Sequence, residues 1–277
     1  MKKFTAGLIL AAGTLAMSAC GTGGSDNASG SDKENKELVV GASNTPHAII
    51  LEEAKPLLEE KGIDLKIETY QDYVLPNEDL DSGEIDANYF QHIPYLETQM
   101  KDHDYDFEIG GEIHIEPIGV YSKKYKSLDE LPEGATILIS NSVADHGRVL
   151  AMLETEGLIK LDEKVDKTEA EVKDITDNPK NLQFDANYEA SFLPTLYNQD
   201  EGDALLINSN YAIDNGLNPL EDAIALEESD SPYVNIIAVR KGDKDREDIK
   251  ALVEVLHSQE IKDFILDEWG GSVVPVD

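Results

Sequence analysis

The chain has 277 residues, of which 57 are acidic and 23 are lysine or arginine, so its formal net charge is −34 at pH 7. A negative field of this size repels phosphate backbones and anionic lipid headgroups, which argues against nucleic-acid binding and against a basic membrane-binding patch. Because 40% of the residues are hydrophobic, the chain has enough apolar material for one large domain or two lobes.

The N-terminus has the pattern of a bacterial lipoprotein signal. Two lysines precede an apolar run from Phe4 to Met17, and two small residues come directly before Cys20. The run is shorter than a stable transmembrane helix, and the pattern predicts a signal peptide at 1–19 and acylation of Cys20. The alternative is an ordinary secretory signal that contains Cys20 by chance. In both cases the mature chain has no further cysteine and therefore no internal disulfide.

The segment 20–36 is small and polar without apolar periodicity, which predicts a lipidated cysteine followed by a flexible tether. From Leu38 onwards, strand and helix patterns alternate. The first part predicts, in chain order, a strand at 38–42, a helix from Pro46 to Gly62, strands at 65–69 and 85–88, a helix at 93–100 and an extended segment at 113–121 with a bend near Pro117 and Gly119.

The second part of the chain continues this alternation. It predicts a strand at 136–139, a helix through Leu150 that stops at Gly157, strands at 172–175, 182–184 and 204–207, a helix up to Gly216, a strand at 234–239, and closing helices at about 245–257 and 259–268. Such an alternation is typical of the α/β class with mixed, mostly parallel sheets. After the signal, no segment reaches the roughly 18–20 apolar residues of a membrane span.

Arginine occurs at three positions, and Arg148 differs from the other two in its setting. Arg240 and Arg246 fall in or beside charged segments and are interpreted as solvated surface. Arg148 lies in the opening turns of the helix that follows the strand at 136–139. Ligands of α/β sheets bind at the carboxyl ends of strands, near helix N-termini, where a guanidinium is suited to grip a carboxylate bidentately. The alternative is a surface salt bridge.

The segment 88–95 packs three aromatic residues and a histidine into eight positions, although aromatic residues make up only 6% of the chain. Phe90, His92 and Tyr95 belong to it, and Tyr73 follows the preceding predicted strand. Such a cluster is suited to line a pocket for an apolar or thioether side chain. The alternative is plain core packing.

Two asparagines are further candidates for a binding site. Asn208 follows the predicted strand at 204–207, and Asn235 lies near the start of the last predicted strand. An asparagine amide both donates and accepts hydrogen bonds, so it can orient both ends of an amino acid. The alternative for each is a turn or cap residue.

The sequence has no constellation typical of an enzyme. His92, His114 and Glu116 are candidate metal ligands, but no pair of histidines or cysteines has the spacing of a metal-binding motif. The chain also lacks the motifs of a serine hydrolase, a nucleotide-binding loop and a dinucleotide-binding fold, and its cysteine is assigned to the anchor. We therefore expect a protein that is not an enzyme, with no catalytic residue, metal or cofactor.

Longer runs of residues carry a resemblance to one family. They lie at 72–74, 86–96, 114–117, 121–125, 127–132, 147–148, 158–161, 178–182, 208, 211–212 and 231–235, and the run at 86–96 reads Asp-Ala-Asn-Tyr-Phe-Gln-His-Ile-Pro-Tyr-Leu. On these segments the chain resembles the NlpA/MetQ-type lipoproteins, the substrate-binding components of methionine ABC transporters, over about 38–277. Runs of this length are more specific than any short motif.

The resemblance implies a periplasmic-binding-protein fold, in which two α/β lobes joined by crossover strands hold the ligand in a cleft. Lobe 1 would comprise 37–118 and 234–277, and lobe 2 would comprise 119–233. The resemblance also implies residue roles. The ligand carboxylate would bind Arg148, its backbone would bind Asn141, Asn208 and Asn235, and its side chain would contact Tyr73, Phe90, His92 and Tyr95.

Two regions, 140–146 and 188–203, depart from the family's usual pattern near the expected cleft. They leave the ligand open between L-methionine, D-methionine, methionine sulfoxide, a methionine-containing dipeptide and another amino acid. The sequence predicts a receptor anchored by lipid on the extracytoplasmic face of the cell membrane, which delivers such a ligand to the permease and ATPase subunits of an ABC importer. An anchored hydrolase or metal enzyme and a surface adhesin are the rival classes.

Overall fold

The computed structural model describes residues 35–228 and 232–277. The predicted signal peptide, the predicted acylation site at Cys20 and the predicted tether up to residue 34 lie outside the described residues. Contacts join the described residues into one compact unit, to which both large β-sheets belong.

Strands and helices alternate along this part of the chain. The strands are β1 (Lys36–Ser43), β2 (Ile63–Tyr70), β3 (Ala87–His92), β4 (Phe107–Ile115), β5 (Gly119–Tyr121), β6 (Thr136–Ser140), β7 (Lys160–Leu161), β8 (Ile175–Asp177), β9 (Gln183–Tyr188), β10 (Ala204–Ile207), β11 (Ala225–Leu226), β12 (Val234–Arg240) and β13 (Val274–Pro275). The α-helices are α1 (Ile49–Glu60), α2 (Leu75–Ser82), α3 (Ile93–His103), α4 (Val143–Thr155), α5 (Leu193–Asn198), α6 (Ser209–Asp214), α7 (Pro219–Asp222), α8 (Glu247–Leu256) and α9 (Gln259–Trp269). Among the described residues, none of these helices combines the length and the apolar character that a membrane crossing requires.

A six-stranded sheet has the strand order β13-β4-β12-β3-β1-β2. Strand β1 pairs in parallel with β2 and β3, whereas β12 runs antiparallel to β3 and β4. Helices α1, α8 and α9 pack on one face around Leu38 and Val40, and α2 and α3 cover the other face through Leu80 and Leu96. Because both faces are covered, β1 has the nearly continuous apolar sequence that marked it as a buried strand.

A five-stranded sheet has the order β11-β5-β10-β6-β9. Strand β6 pairs in parallel with β10 and β9, and β5 runs antiparallel to β10 and β11. Helix α4 packs on one face through Val149, Leu150 and Leu153, while α5 and α6 pack on the other through Leu193 and Tyr211. Helix α4 begins shortly after β6 ends, so its N-terminal turn lies at the carboxyl end of β6. Arg148 lies in the next turn of α4.

Two chain segments connect the sheets. One is 116–118, between β4 and β5, and the other is 227–233, between β11 and β12. Residues 229–231 of the second segment are not among the described residues. We propose that each sheet with its helices forms one lobe, with the limits expected from the sequence: 37–118 and 234–277 for lobe 1, and 119–233 for lobe 2.

The sheets are mixed, as predicted, but the predicted excess of parallel pairings is wrong. Within the described residues, four of the ten strand pairings are parallel. The antiparallel pairings involve mainly the strands that carry the chain between the sheets and the short edge strands. An alternation of strand and helix along the sequence does not reveal the direction of these strands.

Among individual elements, the largest difference from prediction lies between residues 74 and 92. Helix α2 is absent from the predicted elements because its sequence, Leu-Pro-Asn-Glu-Asp-Leu-Asp-Ser, has little apolar periodicity. Strand β3 runs to His92 rather than to residue 88, and all six of its residues are buried. Phe90 and His92 therefore lie on the strand itself. The predicted strand at 172–175 is also wrong in part, since 172–174 form a 3₁₀ turn before β8.

Candidate ligand-binding site

The candidate site is a cavity with about 390 Å³ of space between its atoms, part of which is open to solvent. Segments of β3, α3 and β12 line it on the side of the six-stranded sheet, and segments of α4 and α6 line it on the side of the five-stranded sheet. Its walls are formed by Tyr73, Phe90, Gln91, His92, Tyr95, Glu116, Asp145, Arg148, Asn208, Ser209, Asn210 and Asn235.

One end of the cavity is aromatic. The ring centroids of Tyr73, Phe90 and Tyr95 lie 6.0 Å apart in each pair. The hydroxyl of Tyr95 donates to the main-chain oxygen of Tyr73 at 2.8 Å, which ties the loop after β2 to the start of α3. Rings held in this way offer a fixed surface to an apolar or thioether side chain.

His92 links the aromatic end to the opposite, charged end. It is the N-cap residue of α3, and its Nδ1 accepts a hydrogen bond from the main-chain N–H of Tyr95 at 3.2 Å. Because Nδ1 is an acceptor, the ring proton lies on Nε2, which donates to Asp145 at 3.3 Å. Asp145 lies in the first turn of α4. This hydrogen bond therefore joins β3, a strand of the six-stranded sheet, to the helix that packs on the five-stranded sheet.

Asp145 is a buried carboxylate of the charged end. Besides the bond from His92, it accepts hydrogen bonds from Oγ of Ser140 and Nδ2 of Asn208, both at 3.2 Å. Burial alone would raise the pKa of the Asp145 carboxyl, but the hydrogen bond from His92 and the charge of nearby Arg148 hold this pKa below its ordinary value. The cavity wall therefore carries a negative charge here at neutral pH.

Arg148 is 4% exposed and has a carboxylate partner within the protein. Its Nε and Nη2 donate to Oε2 of Glu227 at 2.8 and 2.5 Å, and Nη2 also donates to the main-chain oxygen of Glu116. The guanidinium lies over the ring of Tyr233, with Cζ 4.8 Å from the centroid. Burial alone would lower the pKa of Arg148, but the charge and hydrogen bonds of Glu227 raise it above its ordinary value.

The sequence suggested that Arg148 grips a ligand bidentately, and the structure gives the Nε–Nη2 edge to Glu227 instead. Nη1 forms no hydrogen bond with any described residue. Nη1 is therefore the guanidinium nitrogen left for a ligand, and Arg148 lines both this cavity and a neighbouring pocket that includes Glu227 and Tyr233.

Glu116 connects the cavity to a buried polar network. Its Oε1 lies 2.8 Å from Nε2 of His114 and 3.1 Å from Nε2 of His47. The Tyr89 hydroxyl lies 2.5 Å from Nδ1 of His114, and Oδ1 of Asn235 lies 3.0 Å from Nε2 of His47. Burial lowers the pKa of His47 to about 4 and that of His114 to about 3, so both rings are neutral at pH 7.

His47, His114 and Glu116 are also the group in the described chain with the geometry to hold a metal ion, since one ligand atom of each lies within 4.8 Å of the others. These atoms already have hydrogen-bond partners, because a proton on Nε2 of each ring matches the contacts to the Glu116 carboxylate. We interpret the group as a hydrogen-bond network that holds Glu116 in the cavity wall.

Two asparagines of the cavity carry buried amide atoms that have no hydrogen-bond partner within the described residues. These are Oδ1 of Asn208, an acceptor, and Nδ2 of Asn210, a donor. The other amide atom of each is engaged, because Asn208 donates to Asp145 and Asn210 accepts from the Tyr73 hydroxyl at 2.7 Å. Buried polar groups are normally paired, so an unpaired acceptor and an unpaired donor in one cavity indicate a site for a polar ligand.

Seven of the eight residues predicted to bind the ligand line this cavity together: Tyr73, Phe90, His92, Tyr95, Arg148, Asn208 and Asn235. Asn141 does not. It is exposed, its N–H donates to the main-chain oxygen of Tyr188 at 2.8 Å, and it lines a neighbouring groove on the far side of Tyr73 and Tyr95. The roles of all eight residues toward a ligand stay predictions.

Several residues at or behind the charged end were not predicted from the sequence. Glu116 was expected only as a metal ligand, and Asp145, Asn210 and Glu227 were not candidates. Glu116, Asp145 and Glu227 are three of 57 acidic residues in the chain, so their residue type carries little information. Asn210 had a usable signal, since it follows Asn208 by two positions in the turn that begins α6.

The model of the NlpA lipoprotein family matches residues 38–277. The chain belongs to this family. It is 52% identical to the methionine-binding lipoprotein MetQ of Bacillus subtilis, in an alignment that covers 100% of this chain and 99% of that protein.

Solved structures of related proteins have the same fold as this chain. A lipoprotein of Bacillus subtilis is 55% identical with a TM-score of 0.86, over 87% of this chain and 98% of that chain. A nutrient-binding protein of Burkholderia cenocepacia, solved bound to methionine, is 42% identical with a TM-score of 0.82, over 87% of this chain and 100% of that chain. The α/β fold predicted from the sequence is thus confirmed.

Proposed function

We propose that the chain is a lipid-anchored solute-binding protein of an ABC importer, which binds methionine or a closely related amino acid outside the cytoplasmic membrane and delivers it to a permease. The observation that carries the proposal is the cavity, which combines an aromatic end with an unpaired acceptor and an unpaired donor. The names of the related proteins, which include methionine-binding lipoproteins, support it.

The aromatic end matches the side chain of the ligand. Tyr73, Phe90 and Tyr95 present ring surfaces that favour contact with a thioether, because sulfur is polarisable and packs well against aromatic rings. A linear side chain of methionine length would extend from the charged end toward these rings. A charged side chain would lose its hydration there without a partner.

The ammonium group of the ligand matches the negative wall. Asp145 and Glu116 both line the cavity, and Oδ1 of Asn208 is an acceptor without a partner in the described chain. An ammonium donates three hydrogen bonds, so it can use the free acceptor and neutralise part of the carboxylate charge. A ligand whose amine is acylated has neither the charge nor the donors.

The carboxylate of the ligand matches Nη1 of Arg148 and Nδ2 of Asn210, two donors of cavity residues that have no partner among the described residues. Hydrogen bonds from a buried guanidinium to a carboxylate are charge-assisted and are among the stronger ones in proteins. The zwitterion of an amino acid thus has a counterpart for each of its charged groups.

The proposal is tested by mass spectrometry of the small molecules released from the purified, denatured protein, followed by calorimetry with the ligand-free protein. We expect methionine or a methionine derivative in the released fraction and saturable binding of L-methionine. N-acetyl-L-methionine, which lacks the ammonium, is the matched control and should not bind. A protein that binds no amino acid, or that retains a stoichiometric metal and turns over a substrate, would contradict the proposal and favour a rival class.

The membrane anchor is tested separately by Cys20→Ala in the full chain. We expect the wild-type protein in the membrane fraction, with incorporation of labelled palmitate, because acylation of Cys20 supplies the hydrophobic attachment. The variant should lose the label and appear in the soluble extracytoplasmic fraction. A variant that stays in the membrane fraction would contradict a lipid anchor at Cys20.

A further inference from the structure

The ion pair between Arg148 and Glu227 joins two distant parts of the chain. Arg148 lies in α4 and Glu227 follows β11, 79 positions later. A single oxygen of Glu227, Oε2, accepts three hydrogen bonds: two from Arg148 and one from the main-chain N–H of Ile118 at 3.2 Å. Ile118 belongs to the other connection between the sheets, so Glu227 ties the guanidinium to both connections.

The guanidinium of Arg148 is restrained on three sides. Glu227 holds the Nε–Nη2 edge, the main-chain oxygen of Glu116 accepts a second bond from Nη2, and the ring of Tyr233 lies against the guanidinium plane. A planar group held at one edge and one face cannot rotate without breaking these contacts. Nη1, which has no bond to the described residues, is thereby fixed in direction.

A ligand carboxylate could in principle displace Glu227 from the guanidinium. Displacement would remove the partner of the Ile118 N–H and move the Glu227 carboxylate, whose side chain is 11% exposed, away from its three donors. Leaving buried polar groups unsatisfied is costly, so the geometry favours a ligand that binds Nη1 while Glu227 stays in place.

We propose that Glu227 is a positioning residue for ligand recognition: it holds Arg148 so that Nη1 meets the ligand carboxylate, and it thereby determines how strongly the site prefers a carboxylate over an uncharged group at that end. The inference rests on the proposed function, since it concerns the same cavity. Glu227 acts through Arg148 and has no place in the cavity wall itself.

The experiment compares two ligands and two matched variants by calorimetry. The ligands are L-methionine and L-methioninamide, in which an uncharged amide replaces the carboxylate. The variants are Glu227→Gln, which keeps the size and removes the charge, and Glu228→Gln, the same change at the neighbouring exposed position. Melting temperatures are measured for each protein, and Glu227→Asp, which keeps the charge on a shorter side chain, is the second variant should Glu227→Gln fail to fold.

We expect Glu227→Gln to raise the dissociation constant for L-methionine about 10- to 100-fold, the range for a hydrogen bond to a charged group. The constant for L-methioninamide should change less than about threefold, so that the preference for the carboxylate falls. Glu227→Asp should lose part of the same preference, and Glu228→Gln should leave both constants within about twofold of wild type. In the background of Arg148→Ala, Glu227→Gln should have no further effect on L-methionine binding, because the residue it positions is gone.

Three results would overturn the inference while the proposed function stands. The first is an unchanged dissociation constant for L-methionine in Glu227→Gln. The second is tighter binding of L-methionine, which would make Glu227 a competitor of the ligand. The third is an equal loss of affinity for both ligands, which would indicate a general structural role. Failure of the wild-type protein to bind L-methionine at all would instead overturn the proposed function.

Discussion

The two ends of the cavity are built in different ways. The aromatic end comes from the six-stranded sheet alone, with Phe90 and Tyr95 five positions apart and Tyr73 in the loop after β2. The charged end combines α4, the start of α6 and the connection after β4, through Asp145, Arg148, Asn208 and Glu116, and Glu227 of the other connection holds Arg148 from outside the cavity wall. The residues of the first end all belong to one proposed lobe, although Tyr73 also contacts Asn210 and Tyr211 of the other, whereas the second end combines residues of both lobes and their connections.

This difference assigns different tasks to the two ends. Phe90 and Tyr95 contact one another within one proposed lobe, so we expect a ligand side chain to contact these two rings independently of the five-stranded sheet. The charged groups gain their full strength only in the assembled cavity, since the attraction between charges rises as water is excluded. Variants of the charged end should therefore affect affinity more strongly than variants of the aromatic end.

The largest effect is expected for Arg148→Ala. Loss of one partner of a buried charged pair should weaken L-methionine binding by about 2–5 kcal/mol, measured by calorimetry. Lys160→Ala, which removes a cation whose side chain is 74% exposed on the same lobe, is the control and should leave affinity unchanged. Unchanged affinity in Arg148→Ala would remove this residue from the site and end the distinction between the two ends.

A second effect is expected for Gly147→Ala, next to Arg148. A methyl group at Gly147 would clash with the main-chain oxygens of Lys167 and Thr168, so the change should destabilise the protein by about 1–3 kcal/mol in urea denaturation. Without the clash, alanine would stabilise a helix. Gly110→Ala, where the added carbon comes no closer than 3.3 Å to a neighbour, is the control and should cost less. A stabilised Gly147→Ala variant would show that α4 does not need this close approach.

The pH dependence of stability should report the network behind Glu116. The pKa values of His47 and His114 are lowered to about 4 and about 3 in the folded protein, so the unfolded chain binds more protons between pH 6.5 and pH 4. Stability should therefore fall with decreasing pH, by about 1.4 kcal/mol per pH unit for each histidine. Burial also raises the pKa of Glu116, which opposes this trend at the acidic end of the range.

Urea denaturation of wild type and His47→Gln between pH 7 and pH 5 measures this contribution. The variant retains a hydrogen-bond donor and lacks one of the two buried imidazoles. Its stability should change less steeply with pH, by about 1.4 kcal/mol per pH unit below pH 6.5. Parallel curves for the two proteins would contradict a neutral, buried His47.

The smallest effect is expected for two tyrosine hydroxyls at the aromatic end. Tyr73→Phe removes the donor to Asn210, a residue of the other proposed lobe, whereas Tyr95→Phe removes a donor to the main chain of Tyr73 in the same lobe. Each hydrogen bond contributes about 0.5–1.5 kcal/mol. We expect Tyr73→Phe to weaken L-methionine binding and Tyr95→Phe to lower only stability. The reverse pattern would place the boundary between the two ends elsewhere.

The aromatic end could be predicted from the sequence because its signal is local. Three aromatics and a histidine occur in eight consecutive residues, which is unusual for a chain with 6% aromatic content. Arg148 could also be predicted, since it stands in the opening turns of a helix after a buried strand, where α/β sheets bind ligands. The same local patterns yielded most strands and helices, with α2 as the main omission.

The partners at the charged end could not be predicted, because they meet through contacts between distant segments. Arg148 and Glu227 are 79 positions apart, and His47 and Asn235 are 188 apart. Strand direction depends on the same kind of contact, which explains the wrong expectation of mostly parallel sheets. Asn141 was assigned to the site from the family resemblance, but it lines a neighbouring groove on the other side of Tyr73 and Tyr95. A position just after a strand does not determine on which side of these rings a residue lies.

The hydrogen bonds of Arg148 reach both segments that link the sheets, one through the Glu116 carbonyl and the other through the Glu227 carboxylate. Any bending of these segments shifts the two acceptors relative to one another and strains the same side chain. Under the proposed function, a solute held by that side chain would restrain both connecting segments as well as fill the cavity. We propose that the permease could then distinguish a loaded from an empty binding protein by this loss of bending freedom, without contacting the solute.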